Sequence, residues 1–379
     1  HQRKRLLGGG LIIALLSAGI VHNRFGDNYA EYFAEHIQFR QDTDFINERL
    51  TGMQNLQFVL HAEEPGGIND PAFLQRLKDF QSWFESQPET RKIISLVALH
   101  ERLNKTMHGD DPAYERLPEE QLLAAQYLFF YEMSLPQGLS LNTLFDPDKQ
   151  HTRFVALLDT IDAATLADLN ARALAWLQAN QPASFYDPAG GVGIGLMFAR
   201  ISERNFRSML TGLAVAIVVI CGLMGLLMGS ARIALISVVP NLTPGLMAFG
   251  LWGYFVGKVG ISLAVVGSIT LGIVVDDTIH FLSKYLRARR EQGATPEQAV
   301  RVAFDTVGSA LVLTSAILLG GFLAISLSAY QLTSYMGLLT AITIGLALVA
   351  DFLFLPPLLL RHVFERIQQA PVPFFVRPV

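Results

Sequence analysis

Cys221 is the only cysteine in the chain, which excludes an internal disulfide framework. Charge is scarce as well. Asp, Glu, Lys and Arg make up 16% of the 379 residues, against roughly 25% in an ordinary soluble domain. Nor is there a basic surplus: 29 Lys and Arg stand against 33 Asp and Glu, so the electrostatic footprint of a nucleic-acid binder is missing. Hydrophobic residues reach 51%. These proportions exclude a wholly soluble protein and a disordered chain, and leave a membrane protein with a large soluble part.

The few charges are unevenly placed. From Asn23 to Arg207 there are 26 acidic and 16 basic residues, whereas the rest of the chain holds 7 acidic and 13 basic. The acidic block has soluble composition; the basic excess flanks apolar runs. Six such runs approach the roughly 20 residues that a helix needs to cross a bilayer. They are Leu6–Val21, Met209–Met228, Ile233–Val256, Val259–Leu282, Ala303–Ser326 and Thr333–Leu360. With the N-terminus inside, the inside segments carry twelve Lys and Arg and the two short outside loops only Lys258. By the positive-inside rule both termini are then cytoplasmic and 23–207 is extracytoplasmic. A basic start followed by a short apolar run also fits a signal peptide, but no A-x-A site is visible near Ser17-Ala18-Gly19, so the anchor reading is taken. The first residue is His1, which leads us to expect part of a longer chain.

The outside block reads as a compact α+β domain. Strands are predicted at Gln54–His61, Lys92–Leu99, Thr152–Asp159 and Gly191–Met197. Helices are predicted from Asp70-Pro71 to Ser86, at Leu117–Met133 and at Asp162–Ala179. The order β-α-β, helical insert, β-α-β fits a ferredoxin-like split βαβ unit. The expected domains are a membrane helix (1–22), the extracytoplasmic domain (23–207), a five-helix membrane domain (208–360) and a cytoplasmic tail (361–379).

Enzyme motifs fail. His100-Glu101-Arg102-Leu103-Asn104 starts as H-E-x-x-H but ends in Asn, so one zinc ligand is missing. Gly253–Lys258 is too short for a P-loop. Gly191-Val192-Gly193-Ile194-Gly195 runs into Leu196 where a dinucleotide fingerprint needs its third glycine. Asn104-Lys105-Thr106 fits a glycosylation pattern, which matters only in a eukaryotic secretory setting. No enzyme, resident metal or cofactor is expected.

The chemistry lies in the apolar runs. Asp276, Asp277 and Asp351 interrupt them, and Asp305 stands near a helix start. A charge at the bilayer centre costs at least about 2.5 kcal/mol, so two adjacent aspartates need a water-lined path, a bound cation or a proton. A carboxylate held there can load a proton on one side and release it on the other. His280 follows Asp276 by four residues and Asp277 by three, on a shared helix face. Thr314 and Ser315 sit mid-run and are candidate supporting groups with Asp351; a hydroxyl there also commonly bonds its own helix. Pro240 and Pro244 bracket Asn241 and are expected to kink their helix. Small residues at Ser268–Gly272 and Gly225–Gly229 suggest close helix contact. Thr295-Pro296-Glu297-Gln298 is a helix start with a capping box.

One membrane helix, a large outside domain and five more helices resemble half of a resistance-nodulation-division (RND) superfamily transporter, and most closely its MMPL-type branch. The matching residues are Pro240-Asn241-Leu242-Thr243-Pro244, the stretch Gly272–Leu282 around Asp276-Asp277, then Thr314-Ser315 and Asp351 through Pro356-Pro357, in that order. The resemblance implies an α-helical polytopic membrane protein with six transmembrane helices. It implies a proton-driven exporter of lipids or other hydrophobic compounds in a bacterial inner membrane, with Asp276 and Asp277 as the proton relay and the periplasmic domain as porter. A second six-helix half, from the same longer chain or another copy, would complete it, the chain being its C-terminal half. No Lys or Arg lies mid-membrane beside the acids, so that half would supply any partner. A non-exporting sensor or protein-translocation helper of the same architecture is the alternative.

Overall fold

The computed structural model describes residues 2–26, 29–228 and 231–360; the tail call 361–379 lies outside them. Short 3-10 turns aside, the chain runs through α1 (Gln2–Ala18), β1 (Arg24–Phe25), α2 (Gln38–Arg49), β2 (Gln54–His61), α3 (Pro71–Glu85) and β3 (Thr90–Ile94). It continues with α4 (Leu96–Met107), α5 (Gln121–Ser134), β4 (His151–Leu158), α6 (Ala163–Asn180), α7 (Ile194–Met228) and α8 (Ala231–Phe255). Then come β5 (Lys258–Val259), α9 (Ile261–Glu291), α10 (Pro296–Ala303), α11 (Ser309–Ser326), α12 (Gln331–Leu353) and α13 (Leu355–Leu359). Two compact units result. A sheet unit holds residues 35–201, and a helical unit holds α1, residues 32–34 and the described chain from 202 onward.

In the sheet unit, Gln54, Leu56, Phe58 and Leu60 alternate inward along β2, as a half-buried strand requires. β2 pairs antiparallel with β4 from Gln54↔Leu158 to His61↔His151, and β3 pairs with the other edge of β4. The spatial order β2-β4-β3 leaves β2 and β3 parallel with β4 between them, a split β-α-β crossover through α3. Phe73, Leu74, Leu77, Phe80 and Phe84 form the buried stripe of α3. Phe80 stands 4.9 Å from Phe154 and 5.3 Å from Phe58, ring to ring. Asp70 caps α3 by accepting from the Ala72 amide at 2.9 Å, and Asp162 caps α6 through Thr165.

Two predicted strands change. The second is β3, which stops at Ile94, and Ser95 hands over to α4. The β-branched run looked strand-like, but Leu96, Val97, His100, Leu103 and Asn104 recur at helical spacing and are buried together. The fourth strand does not form. Val192 makes a single bridge to Gln57 and Tyr186 one to Leu60, and Ile194 begins α7. α7 is therefore 35 residues long and starts fifteen residues before the predicted Met209.

Among the described residues, four helical stretches are long and apolar enough to cross a membrane: Ile194–Leu226, Ile261–Glu291, Pro296–Ser326 and Gln331–Pro357. Gly8–His22 is a shorter apolar helix. α8 runs on through Pro240 and Pro244. Close helix crossings are made between α1 and α8 and between α11 and α12, where a Cβ on Gly337 would stand 2.8 Å from the Phe322 carbonyl, but not at Gly272, around which the space is open; Gly229 of the other expected pair lies outside the described residues. Gly19, Gly250 and Gly253 lie against one another's helices so tightly that a Cβ on Gly250 would overlap the Leu16 carbonyl. Beyond that crossing, β1 pairs in parallel with β5 and Phe33 bridges Tyr330. The ends of α1, α8 and α11 therefore meet at one end of the unit. At the other, Gly9 of α1 packs on Phe354, and the Tyr285 hydroxyl donates to the Leu359 carbonyl at 3.3 Å.

Candidate functional site

The site is built where α8, α9 and α12 pack. Asp276 and Asp277 are adjacent on α9, so they point about 100° apart. Asp276 lies on the outer face with His280, whose Nε2 is 3.5 Å from Asp276 Oδ1; the two side chains are 72% and 61% exposed. Asp277 is half-buried. The next residue, Thr278, is fully buried. Its hydroxyl donates to Asn241 Oδ1 at 2.6 Å and also lies 3.1 Å from the Val274 carbonyl. Asn241, buried between Pro240 and Pro244, thus ties α8 to α9 beside the acids.

Asp351 faces this place from α12. It is 4% exposed, and its Oδ1 has no hydrogen-bond partner among the described residues. Asp277 is the other carboxylate close enough for the two charges to repel. A buried carboxylate oxygen left unpaired is costly, so this arrangement calls for a proton, an ion or water. The structure joins Thr278 to Asn241 by a hydrogen bond and sets Asp351 within electrostatic reach of Asp277. Asp276 and His280 lie together on the more exposed side of α9, both within electrostatic reach of Asp277. Thr314 is exposed, and its hydroxyl bonds the Ala310 and Leu311 carbonyls of its own helix. Ser315 is buried. Asp305 is exposed within a π-helical segment, Phe304–Gly308, that joins α10 to α11.

Asn241 also lines an apolar cavity of about 490 Å³. Its other walls include Phe206 and Leu210 of α7, Phe249 of α8, and Val274 of α9. Asn23 and Asn241 are among its few polar contacts. Thr278 and Phe281 were not singled out as site residues from sequence. Thr278 carried a signal, a hydroxyl directly after two membrane carboxylates. Its pairing with Asn241, 37 residues earlier, is visible only once the helices pack.

In the sheet unit no group of three His, Cys, Asp or Glu among the described residues could hold a metal. His100 is fully buried without a hydrogen-bond partner there, and Glu101 pairs with Lys78 at 2.7 Å. Asn104 is buried, and its amide donates to the Arg116 carbonyl, so the glycosylation pattern is not presented. His61 and His151 share a hydrogen bond, Nδ1 to Nδ1 at 2.7 Å. Burial, and next the neighbouring His151, hold His61 below its ordinary pKa.

The MMPL family profile matches residues 143–366, more than half of the chain. The sequence is also similar to a Methanocaldococcus jannaschii protein, named as a candidate membrane protein, at 31% identity over 145 residues. That match covers 36% of this chain and 37% of the relative, so the chain matches little more than a third of that protein's length. With apolar helices long enough to span, a carboxylate buried among them and the family match together, the chain is a multi-pass membrane protein belonging to the MMPL family.

Proposed function

We propose that the chain is one half of a proton-driven exporter that moves lipids or other hydrophobic compounds across a bacterial inner membrane. The observation that carries this is Asp351, buried in α12 with its Oδ1 lacking a partner among the described residues and within electrostatic reach of Asp277 on α9, in a unit whose apolar cavity Asn241 lines. Carboxylates in that setting exchange protons as the helices shift, and the cavity has the lining an acyl chain or another apolar molecule requires.

Six spans fit the helical unit. α1, α8 and α11 end together, and α9 and α12 begin at that same end, through the β1–β5 pair, Asn23 donating to the Phe249 carbonyl, and the Phe33–Tyr330 bridge. An alternating path satisfies this if α7 and α9 descend and α1 and α8 ascend. The charge bias then puts the Arg-rich α9–α10 connector in the cytoplasm and the sheet unit in the periplasm. The split β-α-β of the sheet unit supports a ferredoxin-like porter domain. A second six-helix half is supported by Asp276 and His280, exposed on the outer face of α9. An acid facing lipid is expensive, and a facing helix bundle would remove it from lipid.

The test is transfer of radiolabelled membrane lipid from proteoliposomes of the full-length protein under an imposed pH gradient. Asp276→Asn with Asp277→Asn is expected to abolish transfer while leaving insertion and folding intact. Transfer at the wild-type rate by that variant rejects the relay.

A further inference from the structure

On the connector side of the carboxylates three aromatic rings pack in a row. Phe281 lies one turn after Asp277 on α9 and is 1% exposed. Phe304 packs edge-on against it at 4.9 Å between ring centres, and Phe352, the residue after Asp351, stands 5.0 Å from Phe304 on the other flank. Phe281, Leu282, Leu311 and Leu355 belong to one buried apolar cluster against which Phe304 packs. Toward the other end of α9 the surroundings differ, because Thr270, Leu271 and Val274 line the cavity there together with Asn241 of α8.

The central ring sits on an unusual piece of backbone. Phe304 opens the five-residue π-helical segment Phe304–Gly308, a form that is rare and occurs frequently at functional sites. Gly308 accommodates the ring: a Cβ there would stand 3.3 Å from Phe304 Cδ1. Rewinding a π turn to α changes the register by one residue, a rotation of about 100° and a shift of about 1.5 Å. A turn of that size carries Phe304 out from between Phe281 and Phe352.

We propose that Phe281, Phe304 and Phe352 form a hydrophobic gate, hinged on Phe304–Gly308, that closes the connector side of the Asp277–Asp351 pair to water. The proposal rests on the proton-relay reading and adds how access to the relay is controlled. Closed rings exclude water and hence protons from one side. π-to-α rewinding opens that side, and the two carboxylates are then reached from one side at a time.

The experiment is decay of an imposed pH gradient in proteoliposomes of the full-length protein, read with an entrapped pH dye. Phe304→Ala is expected to speed the decay severalfold over wild type, and Asp277→Asn added to Phe304→Ala is expected to return it to the rate of protein-free vesicles. A folded Phe304→Ala that decays at the wild-type rate overturns the gate, as does a faster decay that Asp277→Asn leaves untouched. Should Phe304→Ala lose its monodisperse elution, Phe304→Leu and Gly308→Ala decide in its place: faster decay supports the gate, unchanged decay overturns it. The relay is scored separately. If Asp276→Asn with Asp277→Asn stops wild-type decay and Phe304 variants change nothing, the gate alone fails. If that double variant decays as wild type does, the relay fails.

Discussion

His100 shows what a single buried side chain costs. Burial holds its pKa at about 4, against an ordinary value of 6.5. Above pH 6.5 it is neutral in folded and unfolded chains alike. As pH falls below that, the unfolded chain takes up a proton that the folded chain refuses, so stability is lost on acidification, by about 3 kcal/mol near pH 4. His61 is shifted the same way by burial and adds to the slope. Chemical denaturation followed by the fluorescence of Trp83 and Trp176, which flank the aromatic core, is expected to show this loss, and His100→Leu to remove most of it. An equal slope in His100→Leu would place the titration elsewhere. The sequence marked His100 as the start of a broken zinc motif; nothing local said that it is core. Caps were legible because they are local. Asp70, Asp162 and Thr295 each bond an amide two or three residues on. Asp351 was visible as an acid in an apolar run, but not its closeness to Asp277, because that depends on how α9 and α12 are rotated.

Among elements, the crossing of α1 and α8 depends on Gly19, Gly250 and Gly253. Gly250→Leu places its side chain on the Leu16 carbonyl and the Ser17 backbone. The helices must part, and a loss of about 1–3 kcal/mol is expected from overpacking. Thermal unfolding followed by Trp252, which lies on the same helix, measures it; no change would mean that α1 does not pack there. Asp70→Ala is a smaller local test: loss of its cap on α3 is expected to cost about 1 kcal/mol in the same denaturation assay as His100, and an unchanged midpoint would show that the cap contributes nothing. Sequence pattern found β2, α3 and α6 to within a residue or two, since each repeats one periodicity throughout. It misplaced β3 and the start of α7. Ile93-Ile94-Ser95-Leu96-Val97 is apolar under both periods, and Val192 to Leu196 lies at the edge of a sheet that makes only one bridge to it. The small-residue pairs chosen from spacing were Ser268–Gly272 and Gly225–Gly229; the space at Gly272 is open and Gly229 lies outside the described residues, whereas close contact is made through Gly19 just after α1 and Gly250 and Gly253 of α8, a pairing that no spacing within one helix reveals.

For the molecule as a whole, the apolar runs anticipated a polytopic, predominantly helical membrane protein, and the ordered motifs from Pro240 to Pro357 anticipated the MMPL family. Where sequence reasoning stopped was in the grouping of the acids. It grouped Asp276, Asp277 and His280, which lie within electrostatic reach of one another on α9, but did not connect them with Asp351. On our reading Asp277 works within this half with Asp351, and the more exposed Asp276 and His280 face a second half. The most direct measurement of the central claim is proton entry into vesicles that contain the full-length protein and its own membrane lipids, started by a pH jump. Wild type is expected to collapse the gradient faster than protein-free vesicles, and Asp276→Asn with Asp277→Asn to match the protein-free rate. Collapse at the wild-type rate by a correctly inserted double variant would contradict it.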